Sequence, residues 1–159
     1  MTTVAMNWRP PSRTQEFHDH TGQRRPREVI ELFHRAMIAL SADDLADLHA
    51  VDAVYEFPLL TPGRPDRYQG REEIRRGFAS VWAEARTGLQ VTDVRNVVLH
   101  VTVDPEVFVV EQEAAAVLIG RDERILAPSL LVFRIRKGLV AHVRDYSSGA
   151  RRTDDSVPL

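Results

Sequence analysis

Four runs rich in β-branched residues fill the second half of the chain, 89–103, 106–119, 124–136 and 139–147. They are divided only by Asp104-Pro105, Gly120-Arg121-Asp122 and Lys137-Gly138. Breaks this short turn a strand back on its neighbour, because a parallel crossover needs a dozen or more residues. The second half is therefore expected to be an antiparallel meander, and the first half must supply whatever covers one of its faces.

The first half reads as helical. Val29, Ile30, Phe33, Met37 and Leu40 recur at three- and four-residue steps behind Pro26, which a first helical turn tolerates. Ser41-Ala42-Asp43-Asp44 supplies capping side chains for a second, short helix with Leu45, Leu48 and Val51 on one side. A short strand, Ala53-Val54-Tyr55-Glu56-Phe57, stops at Pro58, and Thr61-Pro62-Gly63-Arg64-Pro65 follows as irregular loop. A third helix opens at Gly70-Arg71-Glu72-Glu73, carries Ile74, Phe78, Val81 and Trp82 on one face, and ends near Thr87-Gly88. The expected fold class is α+β, with three N-terminal helices packed on a curved, mostly antiparallel sheet. Together they form a cone whose mouth can hold a small molecule.

With 159 residues the chain suits one domain. The expected divisions are a flexible arm over 1–25, a folded domain over 26–148 and a flexible tail over 149–159. A formal charge of -2 with acids and bases interleaved argues against a nucleic-acid partner. No apolar run approaches the length that spans a bilayer, and the first residues lack a signal-peptide core. Without cysteine there is no disulfide framework, so a cytoplasmic protein is expected, with no membrane partner. His18-Asp19-His20 can be drawn as a metal site, but two imidazoles and a carboxylate on a polar arm are expected to be solvated, and no metal is assigned.

The last strand carries the main chemical candidate. In Leu139-Val140-Ala141-His142-Val143-Arg144-Asp145-Tyr146, strand parity puts Asp145 on the face of Ala141 and Val143, away from His142 and Arg144. An aspartate there is either a general acid/base or an ion-pair member, and an apolar pocket around it would raise its pKa toward the useful range. Glu111 and Glu113 share a face of their strand. If that face is the inner one, they form a carboxylate cluster with Asp145 in which one pKa is pushed up; otherwise they pair with arginines such as Arg134 or Arg144. Tyr55 is either core or a hydrogen-bond donor to a water or oxyanion. Gly-rich phosphate loops, nucleophile elbows and paired-cysteine metal motifs do not occur in the sequence.

The stretch from Leu45 to Pro58, the Tyr68-Gln69-Gly70-Arg71-Glu72-Glu73-Ile74 segment and the closing Arg144-Asp145-Tyr146 resemble the SnoaL-like group of the nuclear transport factor 2-like superfamily, over about residues 26–148. That fold hosts cyclases, isomerases, epoxide hydrolases and proteins without chemistry, so it fixes no reaction by itself. The Arg-Asp-Tyr run and the strand tyrosine are similar to limonene epoxide hydrolase, a resemblance that implies Asp145 as the base activating water and Tyr55 as a group holding it. The chain departs from that pattern at Phe57, where the family has asparagine, and at Glu111-Gln112-Glu113, where it has an Arg-x-Asp pair. A drier pocket follows, closer to polyketide cyclases or ketosteroid isomerase-like enzymes of secondary metabolism.

The resulting expectation is a cofactor-free enzyme that cyclises, isomerises or opens an epoxide in a mostly apolar metabolite. Asp145 would be the base, Glu113 or Glu111 the partner acid and Tyr55 the donor, with Phe57, Phe78, Trp82, Phe133 and Val143 as pocket walls. The alternative is a non-catalytic ligand-binding module of the same fold. The resemblance also implies a homodimer.

Overall fold

A computed structural model describes residues 2–5, 22–59, 63, 65–121, 123–147 and 151–152. Helices α1 (Pro26–Ala39), α2 (Ala42–Asp47) and α3 (Arg71–Gly88) lie among strands β1 (Thr2–Ala5), β2 (His49–Glu56), β3 (Arg67–Gln69), β4 (Leu89–Val101), β5 (Val107–Leu118), β6 (Glu123–Arg136), β7 (Leu139–Asp145) and β8 (Arg151–Arg152). The strands form one sheet in the order β1-β4-β5-β6-β7-β2-β3, with β8 paired to β6. The meander from β4 to β7 is antiparallel throughout, as the short breaks require. β2 joins β7 in parallel, across a separation long enough to return the chain in the same direction.

The fold is α+β with three helices, but they are not all N-terminal to the sheet, because β2 and β3 separate α2 from α3. Thr2–Ala5, within the stretch expected as an arm, pairs with β4 from Thr2 opposite Val101 to Ala5 opposite Val98. His18, Asp19 and His20 lie outside the described residues. Among the described residues no group of three His, Cys, Asp or Glu is placed to hold a metal, and no helix is long and apolar enough to cross a membrane.

Local chemistry sets the helix ends. The Ser41 hydroxyl accepts the Asp44 N–H at 3.3 Å and starts α2 directly after α1. The corner between them turns at Leu40, which adopts a left-handed φ of 50°, and burial of its side chain in the core offsets that strain. α2 stops at Asp47, earlier than its apolar spacing suggests. Val51 therefore lies on β2 and is 75% exposed rather than on a helix face, because the backbone at His49 already pairs with Val140 of β7.

Val29, Ile30 and Phe33 of α1, Leu45 of α2 and Ile74 of α3 are buried against Val94, Val110, Leu131, Phe133 and Val143 of the sheet. The helices thus cover one face, and every strand residue in that set points inward. Gly77 of α3 is there for close approach: a Cβ at this position would fall 2.3–2.8 Å from the Tyr68 ring, so the glycine lets β3 press its aromatic side chain onto the helix.

Two imidazoles are buried in this core. His34 reaches Gln112 Oε1 through Nε2 at 2.6 Å, and His49 reaches the Leu45 carbonyl through Nδ1 at 2.7 Å. The other ring nitrogen of each has no partner among the described residues. Burial is the main reason the His49 pKa falls from 6.5 to about 4; the Leu45 hydrogen bond opposes the fall and the charge of Arg71 adds to it. Above pH 6.5 His49 is neutral folded or unfolded, so its full contribution is present there. Between pH 6.5 and about 4 the unfolded chain takes up a proton that the folded one refuses, and stability drops as pH falls through that window. The loss attributable to His49 is about 3 kcal/mol across the window. Urea unfolding at about pH 7 and about pH 4.5 should show this decline, and His49→Asn, which keeps a donor for the Leu45 carbonyl, should reduce it, leaving the part due to His34, whose pKa burial also lowers.

Candidate functional site

The parallel pairing of β2 and β7 builds the site. Tyr55 is opposite Val143 and Glu56 opposite Arg144, which sets Asp145, two residues beyond Val143 on the inner face, within reach of the Tyr55 ring's polar end. The Tyr55 hydroxyl donates to Asp145 Oδ2 at 2.8 Å. Asp145 Oδ1 accepts the Ser147 N–H at 2.9 Å and also the Ser147 hydroxyl. The carboxylate thus ends β7 while its oxygens tie together two strands and the residues that follow.

These groups open onto a cavity of about 440 Å³. Its walls are mainly aromatic: Phe33 of α1, Tyr55 and Phe57 around the end of β2, Tyr68 of β3, and Phe78 and Trp82 of α3. The rings form a continuous surface, with centroids 4.9 Å apart for Tyr55–Phe78 and for Phe78–Trp82 and 5.0 Å for Tyr55–Phe57. Met37, Leu45 and Val81 complete the helical side, and Leu59 and Pro65 line the exposed rim. Among the described lining residues Asp145 is the sole acidic side chain, and no Lys, Arg or His lines the cavity.

Burial pushes the Asp145 carboxyl above its ordinary range, against the hydrogen bonds from Ser147 and Tyr55, which favour the charged form. No ion pair to Asp145 exists among the described residues, so its charge is balanced by dipoles alone. The Tyr55 phenol is driven well above its ordinary pKa by burial and by the adjacent Asp145, and stays protonated. An apolar chamber with one carboxylate of raised proton affinity can take a proton from a bound molecule and return it.

The other predicted residues divide. Phe57, Phe78 and Trp82 line this cavity, whereas Phe133 and Val143 are fully buried beneath it, Phe133 edge-on to Phe33 at 5.0 Å. Glu111 and Glu113 are not with Asp145. They sit on the opposite face of the sheet, register partners of Leu130 and Pro128, while Leu131, opposite Asp145, pairs with Val110 on the inner side. Glu111 is held by His100 at 2.7 Å and Glu113 by Asn96 at 2.7 Å, and both line a shallow depression there. The inward polar residue of β5 is Gln112.

Parity along β7 also breaks. Arg134 pairs with His142 but Ile135 with Val140, so Ala141 is an extra residue, and the fully buried Val140 takes the inner position expected for Ala141. Three residues at or beneath the site went unmarked in the sequence. Ser147 had no signal beyond its place two residues after a strand-end aspartate, the spacing of a local side-chain turn. Gln112 and His34 could have been found from the apolar sets they interrupt, Phe108–Val110 and Ile30–Phe33.

A family model described as a SnoaL-like domain matches residues 27–143. Solved structures share the fold at low sequence identity. One is a Bacillus subtilis protein thought to be an isomerase, with 19% identity, 76% of this chain and 84% of that one covered, and a TM-score of 0.65. An epoxide hydrolase of the limonene type from Mycobacterium tuberculosis gives 18% identity, 76% and 80% coverage, and 0.53. A computationally designed binder of 17-OHP gives 19%, 74% and 88%, and 0.59. No functionally curated protein is similar enough in sequence to match.

If the Tyr55 hydroxyl supports the charged form of Asp145, Tyr55→Phe should raise the Asp145 pKa further, by about one unit for a hydrogen bond to a charged acceptor. A carbon-13 NMR titration of the aspartate carboxyl carbons, assigned with Asp145→Asn, reads the shift directly.

Proposed function

The chain belongs to the SnoaL-like family, and on that premise we propose that it is a small-molecule enzyme doing cofactor-free acid/base chemistry on a mostly apolar metabolite. The observation that carries this reading is Asp145: a carboxylate with no ionic partner among the described residues, fixed by Tyr55 and Ser147 at the wall of an aromatic cavity. A side chain tied at both oxygens by neutral donors keeps its position whether charged or protonated, which a proton shuttle requires.

Within the reactions of the family, the arrangement favours isomerisation or cyclisation over epoxide opening. Opening an epoxide by water uses a base for the water and an acid for the leaving oxygen. Glu111 and Glu113, the candidates for that acid, face the other side of the sheet. A single base suffices when one proton leaves one carbon and returns to another. Asp145 Oδ2 accepts one hydrogen bond, from Tyr55, and retains a lone pair for that proton, whereas Oδ1 already accepts two. The aromatic walls exclude water and raise the basicity of the carboxylate that remains ionised.

The curved sheet and its helices would then enclose a cone-shaped pocket, and the outer sheet face carrying Leu130, 37% exposed, would be the contact of a homodimer. The catalytic claim is tested by incubating the protein with a panel of enolisable ring ketones in deuterium oxide and following exchange and product formation. Asp145→Asn should lower kcat/KM by about 10²- to 10⁴-fold on any substrate the wild type turns over. Equal rates for variant and wild type would leave a ligand-binding module instead.

A further inference from the structure

Among the described residues, the polar groups that contact Asp145 have their protons already committed. The Tyr55 hydroxyl donates to Asp145 Oδ2, and the Ser147 hydroxyl and N–H donate to Oδ1. A bound molecule arriving there meets only lone pairs, those of one carboxylate oxygen and of two hydroxyl oxygens that have spent their hydrogens. The other lining side chains with a donor are Tyr68 of β3 and Trp82 of α3, both neutral. A ligand carbonyl pointed at Asp145 would stack acceptor on acceptor, at the cost of an unpaired polar group.

The walls are aromatic and carry no charge of their own. Tyr55, Phe57, Phe78 and Trp82 bring four aromatic rings to the cavity at tilted and edge-on angles to one another, and a ring face turned toward a ligand there attracts a cation. Asp145 adds a carboxylate, and no cationic side chain among the described lining residues offsets it. This carboxylate has no counter-ion among the described residues, and a cation on the ligand is the group that satisfies carboxylate, hydroxyl oxygens and rings together.

From this we infer that the pocket selects a ring-bearing molecule that presents a protonated amine to Asp145. The inference goes beyond the reading of Asp145 as a base and shares with it only the site: an ammonium held on Asp145 takes the lone pair that proton transfer would use, so the amine is a ligand of the site and not the molecule that gives Asp145 its proton. Binding of the amine needs the carboxylate and the aromatic walls, not turnover.

Three probes with one carbon skeleton separate the possibilities: 1-phenylethylamine, 1-phenylethanol and acetophenone present a cation with donors, a neutral donor and an acceptor. Affinities are measured by NMR titration at neutral pH on the full chain, following the Met37 methyl and Trp82 indole signals, both from residues lining the cavity. The amine should bind at least about tenfold more tightly than the ketone, with the alcohol between them. In Asp145→Asn, checked for folding by circular dichroism, the amine should lose that advantage. A ketone or alcohol that binds as well as the amine overturns the inference. So does an amine preference that survives Asp145→Asn, or an amine that leaves both signals unmoved up to about 10 mM. If the probes fail while Asp145→Asn still abolishes turnover, the ligand class falls and the base remains. If the amine binds as expected but the variant keeps full turnover, the reverse holds.

Discussion

The structure depends on the parallel pairing of β2 with β7. It closes the sheet between the helical first half of the chain and the meander, and it brings Tyr55 within 2.8 Å of Asp145, ninety residues away in sequence. Tyr55 is also packed on Phe33, Phe57 and Phe78, so one side chain belongs at once to the core and to the cavity wall. Its hydroxyl lies at the edge of that packing, where it donates to the Asp145 carboxylate. Burial raises the proton affinity of Asp145 while Tyr55 and Ser147 restrain the rise, and the balance leaves a carboxylate that can exist in both states.

A fold that puts an uncompensated acid into an aromatic chamber spends stability there and recovers it elsewhere. The recovery is visible in the packing under the chamber: Phe33, Phe133, Val143 and Ile74 are fully buried, and Gly77 admits the Tyr68 ring against α3. Neutral His34 and His49 add polar contacts within that core at the expense of an unpartnered nitrogen each among the described residues. The helices cover the inner face, and the cavity they leave is lined by Asp145 and Ser147 together with the exposed Leu59 and Pro65.

Much of the fold was legible in the sequence because its signals are local. Short breaks dictate antiparallel pairing, and the apolar spacing of Val29, Ile30 and Phe33 dictates a helix. What was not legible is what tertiary pairing decides. Val51 continues an apolar spacing from α2, yet pairing with β7 claims the backbone from His49 onward. Both faces of β5 carry apolar residues, so alternation groups Glu111 with Glu113 without telling which face the helices will cover. The face of Asp145 was readable from Val143, its neighbour on the same side, but the extra residue at Ala141 shows that parity does not survive a bulge. Ser147 lies beyond the strand, where no period applies.

The central claim is that Asp145 is a desolvated carboxylate without a compensating cation. The most direct measurement is the titration midpoint of its carboxyl carbon in the wild-type protein by carbon-13 NMR. The account predicts a midpoint clearly above the ordinary aspartate value of about 3.9. A midpoint at or below that value would mean that a cation or a full set of donors compensates the charge, and would contradict it.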